Sequence, residues 1–158
     1  MLVRNLMTQN PRSCHTNDNL DVAARAMWET DCGAVPIVDD GGRVVGIVTD
    51  RDICMAAYTQ GQPLWCIPIG VAMAREVITC GSDDDVDVAE RAMRDARVRR
   101  LPVVDADLRL VGMLSLNDLA REAVHNGHRG TPRSADVTRT LAAICEPRFQ
   151  IVAAPAST

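Results

Sequence analysis

Residues 46–52 read GIVTDRD, and residues 112–118 read GMLSLND. Each is an apolar run that ends in a hydroxyl, Thr49 or Ser115, with a carboxylate three positions on, Asp52 or Asp118. The sixty-six-residue offset between them aligns much of the chain, from Met7 to about Ala57, without a gap. Asp21, Val22, Ala23, Arg25, Ala26 and Met27 meet Asp87, Val88, Ala89, Arg91, Ala92 and Met93. Pro36, Val38 and Asp39 meet Pro102, Val104 and Asp105. About a third of the paired positions are identical, which ordinary composition does not produce by chance. The chain is an internal duplication.

Each copy carries the same order of elements. Apolar residues at Leu20, Ala23, Ala24 and Met27, and again at Val86, Ala89 and Met93, predict a helix with Asp18 or Asp84 as N-cap. The β-branched runs AVPIVD and LPVVD predict strands, and DDGGR connects the first to VVGIV as a hairpin; the second turn, DADLR, is less typical. A second helix begins near Thr49 or Asp50 and passes through Ile53, Ala56 and Ala57, and its twin runs through Leu119, Ala120 and Ala123. Residues 1–62 are read as the first repeat, 63–71 as a Gly- and Pro-bearing linker and 72–126 as the second repeat. Residues 127–158 are read as a loop, a short helix in VTRTLAAIC and a loosely held tail.

Bulk composition narrows the function. Among 158 residues, 47% are apolar but only 3% aromatic, so the core is aliphatic and platforms for stacking nucleic-acid bases are not expected. With 17 basic against 21 acidic residues, no general field draws in a polyanion, and small ligands are favoured. The N-terminus lacks a signal-peptide core and no window reaches the length of a membrane span, so a cytoplasmic protein is expected. The six cysteines lie far apart with no C-x-x-C and are read as reduced core thiols. The three histidines pair with no nucleophile, and no G-x-S-x-G or P-loop is present, so catalysis is not expected.

At the strand-to-helix junctions, free backbone N–H groups suit an anion such as phosphate, and a Thr49 or Ser115 hydroxyl adds a donor. An aspartate three residues later suits the cis-diol of a ribose. The competing reading is a helix cap, for which Thr, Ser and Asp are the preferred residues. Asp50 and Arg51 became Leu116 and Asn117 in the second copy, whereas the hydroxyl and the second aspartate stayed.

The duplicated pattern, best seen in GAVPIVDDGGRVVGIVTDRDI and VRRLPVVDADLRLVGMLSLNDL, resembles a tandem pair of cystathionine-β-synthase (CBS) domains from roughly Val3 to Val124. The resemblance implies an α+β fold of two β-α-β-β-α repeats about a pseudo-twofold axis, with two clefts between them and dimerisation into a flat disc. It implies a regulatory ligand (AMP, ADP or ATP, in some members NAD or S-adenosylmethionine), no catalytic cofactor and a separately encoded regulated protein. Carried over by position, it assigns Asp52 to the ribose, Thr49 to sugar or phosphate, Ile47, Val77, Ile78 and Val98 to the adenine slot, and Arg99 and Arg100 to the phosphate. In the second cleft Asp118 and Ser115 take the matching roles beside Met113, but Cys32, Gly33 and Ala34 stand where the arginines would be. The first cleft is therefore expected to hold phosphate more tightly, and the second to suit a less charged adenosyl ligand. Zinc at His125 and His128, a redox role for the thiols, and an interaction module with no nucleotide are the readings set against it.

Overall fold

Both copies fold by the same local rules, and the computed structural model describes residues 1–125 and 134–146. In chain order the elements are β1 (Thr8–Gln9), β2 (Cys14–His15), α1 (Leu20–Thr30), β3 (Ala34–Val38), β4 (Val44–Thr49), α2 (Asp50–Gln60), β5 (Cys80–Gly81), α3 (Val86–Ala96), β6 (Arg100–Val104), β7 (Leu110–Ser115), α4 (Leu116–His125) and α5 (Ser134–Cys145). One sheet runs β2-β3-β4 and the other β1-β7-β6-β5. In each repeat the short entry strand pairs parallel with the next, which pairs antiparallel with the third. This is the expected mixed α+β architecture, written twice. Residues 126–133, read as a loop and holding His128, and residues 147–158, read as a tail, lie outside the described residues.

Sequence-level chemistry accounts for the turns. Asp39 Oδ1 accepts the N–H groups of Gly41 and Arg43 at 2.9 Å, and Asp105 Oδ1 does the same for Asp107 and Arg109. Each turn needs one left-handed residue: Gly42 (φ 77°) supplies it freely, while Leu108 (φ 63°) adopts it in the second copy. The two hairpin tips then meet, with Val44 N–H donating to Leu108 O and Leu110 N–H to Gly42 O. The N-caps differ from expectation. Asn19 and Asp85 occupy the cap positions of α1 and α3, because Asp18 and Asp84 are already engaged one turn earlier, accepting the N–H groups of His15 and Gly81 at 2.7 Å.

The core is divided and reciprocally completed. The first repeat's apolar cluster takes in Ile67, Ile69 and Met73 from the chain leading into the second repeat. The second repeat's cluster takes in Val3, with Met1, Leu6 and Met7 packed against it, from the chain leading into the first. The stretch read as a linker is thus built in: it forms one-turn 3-10 helices at Leu64–Cys66 and Ile69–Val71, and Ile67 and Ile69 are buried. Backbone pairing follows the same exchange, Thr8 lying opposite Met113 and Ala74 opposite Ile47. Gly46 and Gly112 permit it. A Cβ on Gly46 would stand 2.8 Å from Met73 Sδ, and one on Gly112 would collide with Met7 Sδ.

Gly112→Val is therefore expected to cost about 1–3 kcal/mol through overpacking, a fall of several degrees in Tm. Met7→Ala in the same chain should recover part of it, and unchanged thermal unfolding of Gly112→Val would exclude the packing described.

All six cysteines are free thiols; Cys14 and Cys80 are buried as expected, but Cys54, Cys66 and Cys145 are exposed. Burial, helped by the nearby charges of Asp18 and Asp84, pushes Cys14 up to about 11 and Cys80 to about 12. Thiols that hold their protons longer in the folded state stabilise it below their unfolded pKa and lose that contribution as pH rises through the folded value. Urea midpoints should fall between pH 9 and 12, and a Cys14→Ala/Cys80→Ala chain should show a shallower fall; equal slopes would contradict the assignment.

Candidate functional site

The two junctions are built alike. Thr49 is the N-cap of α2: its Oγ1 accepts from Asp52 N–H at 3.3 Å, while its N–H and Oγ1–H donate to Asp52 Oδ2 at 2.9 and 2.7 Å. Ser115 and Asp118 repeat this at 2.9, 2.6 and 3.3 Å. The capping reading of T-x-x-D is thus realised, as a reciprocal capping box in which the carboxylate serves in place of Glu or Gln.

The cap leaves the two carboxylates unequal. Asp52 keeps Oδ1 without a hydrogen-bond partner among the described residues, whereas Asp118, 6% exposed, also accepts from Arg121 Nη2 through its Oδ1. The D-x-x-R spacing that joins Asp118 to Arg121 is legible as an i,i+3 helical pair. Asp52 is the better placed of the two to accept a hydroxyl. The expected backbone anion cradle is not open at α2. Asp50 N–H donates to Gly33 O at 3.3 Å, Arg51 N–H to Asp50 Oδ1 at 2.7 Å, and Asp52 N–H to Thr49. With Asp50 and Asp52 both in its first turn, this helix end is acidic, so a phosphate there depends on cationic side chains.

Arg100 supplies one from across the molecule. Its backbone pairs with Ser115 in the second repeat, yet a Cβ built on Gly33 of the first repeat would lie 3.4 Å from Arg100 Nη2 and 2.9 Å from Asp50 Oδ2. Gly33 is a bare floor that a guanidinium of one repeat and the Asp50 carboxylate of the other both approach, and Asp50 is a member of this group that the family pattern does not include. Ala34 pairs with Thr49 one step further along the same strands. Arg99 is exposed, and its carbonyl accepts Leu116 N–H at 2.9 Å. No hydrogen bond or ion pair joins Asp52 to Arg99 or Arg100 among the described residues.

The apolar candidates divide. Ile47 and Met113 sit where the exchanged segments pair with β4 and β7, two residues before each hydroxyl. Val77 is half-buried and Ile78 exposed, just after the Ala74 pairing. Val98 packs against the second repeat's core and Cys32 against the first. No group of three or more metal-binding side chains is found among the described residues.

The family model for the CBS domain matches residues 3–58 and 69–125. The CBS domain-containing protein YhcV of Bacillus subtilis is 31% identical over 129 residues, covering 82% of this chain and 90% of its own. The CBS domain pair of protein MJ0100, solved with 5'-methylthioadenosine and S-adenosyl-L-methionine, superimposes with a TM-score of 0.70 at 31% identity, over 77% of this chain and 94% of that one. CBSX2 in complex with AMP gives 0.70 at 26% identity, over 80% and 98%.

Because the carboxylates close capping boxes, Asp52→Ala and Asp118→Ala should each lower stability by about 0.5–2 kcal/mol, more for Asp118, which is buried and bound to Arg121. Urea unfolding reads this directly; midpoints equal to the parent's would show that the boxes are not formed.

Proposed function

The chain belongs to the CBS-domain family, and from that premise we propose a regulatory module that senses an adenosine nucleotide (AMP, ADP or ATP) in clefts between its repeats. It acts in the cytoplasm as a homodimer, has no catalytic role, and passes the bound state to a separate protein. Solved relatives with adenosine-containing ligands support the ligand class. The observation that carries the reading is Arg100, a second-repeat cation laid over Gly33 of the first repeat beside Asp50, on the strand whose Ala34 pairs with Thr49. In this reading the open Oδ1 of Asp52 takes the ribose hydroxyl, Ile47, Val77 and Ile78 cover the base, and the arginines hold the phosphate. The acid-rich start of α2 directs that phosphate away from the helix end and toward Arg100.

A second ligand is favoured at the other cleft by one observation. By the sixty-six-residue offset the positions equivalent to Arg99 and Arg100 are Gly33 and Ala34, so the first repeat offers Ser115 and Asp118 no cationic side chain of its own there. An adenosyl compound without phosphate, such as S-adenosylmethionine, fits that cleft better than AMP does.

Titration calorimetry separates these roles. Arg100→Ala should weaken AMP at least about tenfold, the loss of one charge-assisted bond, and leave adenosine nearly unchanged. Asp52→Asn, which keeps a carbonyl acceptor for the cap, should weaken both. AMP affinity unchanged in Asp52→Asn, Arg100→Ala and Asp118→Asn alike would overturn the proposal.

A further inference from the structure

The turn that carries the arginines into the first cleft is built on an unfavoured residue. α3 ends at Arg97, whose φ of 53° and ψ of 44° place it in the left-handed region, with its N–H donating to Arg94 O at 3.2 Å and Val98 N–H to Met93 O at 2.9 Å. The twin position closes α1 in the same way at φ 49°, Cys32 N–H donating to Met27 O at 3.1 Å, but the residue there is Asp31. Aspartate is among the residues that visit this region readily, whereas an arginine carries the full steric cost of its Cβ against the following carbonyl. The second repeat therefore needs a support that the first does not, at the point where the chain turns from α3 toward Arg99 and Arg100.

α5 supplies that support. It packs against α3 and α4. Thr140 Oγ1 donates to the buried Glu90 at 2.7 Å, and Arg97 Nη2 donates to Glu146 at 2.7 Å, so α5 runs alongside α3 in the same direction and ends beside the turn. Val137 and Ile144 join the apolar cluster against which Val98 packs. In the first repeat Ala24 stands at the counterpart of Glu90 and offers no such acceptor. Three positions separate Arg97, held by Glu146, from Arg100, whose guanidinium approaches Gly33 at the first cleft. A turn fixed before a ligand arrives spares phosphate binding the entropy of ordering it.

We infer that α5 is a positioning element for the phosphate end of the first cleft: docked on α3 and holding Arg97 through Glu146, it fixes the turn that aims Arg99 and Arg100. The inference rests on the nucleotide reading of the preceding section and adds a route by which the bound state leaves the cleft. Such linkage is reciprocal, so phosphate held by Arg100 tightens α5 on α3, and a protein that draws α5 away loosens the phosphate. Glu146 is a positioning residue that acts through Arg97.

Titration calorimetry of the full chain with AMP and with adenosine tests this, and the sign of one effect is decisive. Glu146→Gln removes a negative charge beside the turn, so a purely electrostatic role would make AMP bind more tightly. Positioning predicts the opposite: AMP weakened about twofold to fivefold, the range of an exposed ion pair, with adenosine unchanged. Val137→Asp, which puts a carboxylate into the apolar contact of α5, should weaken AMP at least about fivefold and again spare adenosine. In an Arg97→Asn chain, whose new side chain tolerates left-handed backbone, Glu146→Gln should change nothing further. Hydrogen exchange reads the reciprocal effect, since AMP but not adenosine should slow exchange across Ser134–Cys145. AMP affinity unchanged or raised in Glu146→Gln, equal losses of AMP and adenosine in Val137→Asp, or exchange in α5 indifferent to AMP would overturn the inference and leave the nucleotide reading standing. A parent chain that binds no AMP overturns both.

Discussion

The constraint on which the rest depends is the exchange of entry segments between the repeats. Neither repeat completes its own apolar core: Ile67, Ile69 and Met73 belong to the first cluster and Val3 to the second, each delivered by the chain on its way to the other repeat. Burial of each such side chain contributes roughly 1.5–3 kcal/mol, so separating the repeats would expose a substantial part of the stability of the whole. Gly46 and Gly112 make the exchange possible, because Met73 and Met7 lie where their side chains would be. The pseudo-twofold arrangement follows from this mutual dependence.

The same exchange sets the position of the candidate clefts. The crossing segments pair at Ile47 and Met113, and α2 and α4 begin three residues later, so both hydroxyl and carboxylate pairs stand close to the seam. There the carboxylates carry two duties. One oxygen of each closes a capping box, a local role that stabilises the helix with or without a ligand. What remains differs between the two: Oδ1 of Asp52 is open among the described residues, while that of Asp118 is held by Arg121. In the proposed reading the two junctions differ through this pairing as well as through the arginines, and a carboxylate that already caps a helix is held in one rotamer, which would lower the entropy lost on binding a ligand.

Much of this was legible in the chain itself. The repeat, its helices and its hairpins follow from periodicity and turn residues, which are local signals, and Asp39 and Asp105 close their turns as such residues do. Three features of the fold were not legible, each for a physical reason. The reciprocal packing of Val3 and Ile69 joins residues far apart in sequence, and nothing in VRNL or CIPIG states which core receives them. The N-cap assignment slipped by one because Asp18 and Asp84 accept the N–H groups of His15 and Gly81 instead, a choice between two nearby donors that spacing does not resolve. The closure of the α3/α4 face by α5 depends on Glu90 meeting Thr140, a side-chain pairing visible only once the helices are placed. Of the candidate site, the hydroxyl and carboxylate pairs Thr49/Asp52 and Ser115/Asp118 were legible as a repeated motif; that the first-turn N–H groups of α2 are already occupied, and that Gly33 forms a floor for Arg100, required the tertiary structure.

The central claim is that the seam between these repeats is a receptor for an adenosyl group. Native mass spectrometry of the chain as it leaves purification, before and after addition of AMP, ADP, ATP or S-adenosylmethionine, addresses it most directly. The account predicts a discrete mass increment matching one adenosyl ligand per occupied cleft, carried from the cell or taken up on addition and released on unfolding. A chain that arrives bare and stays bare with every one of those compounds at millimolar concentration would contradict it.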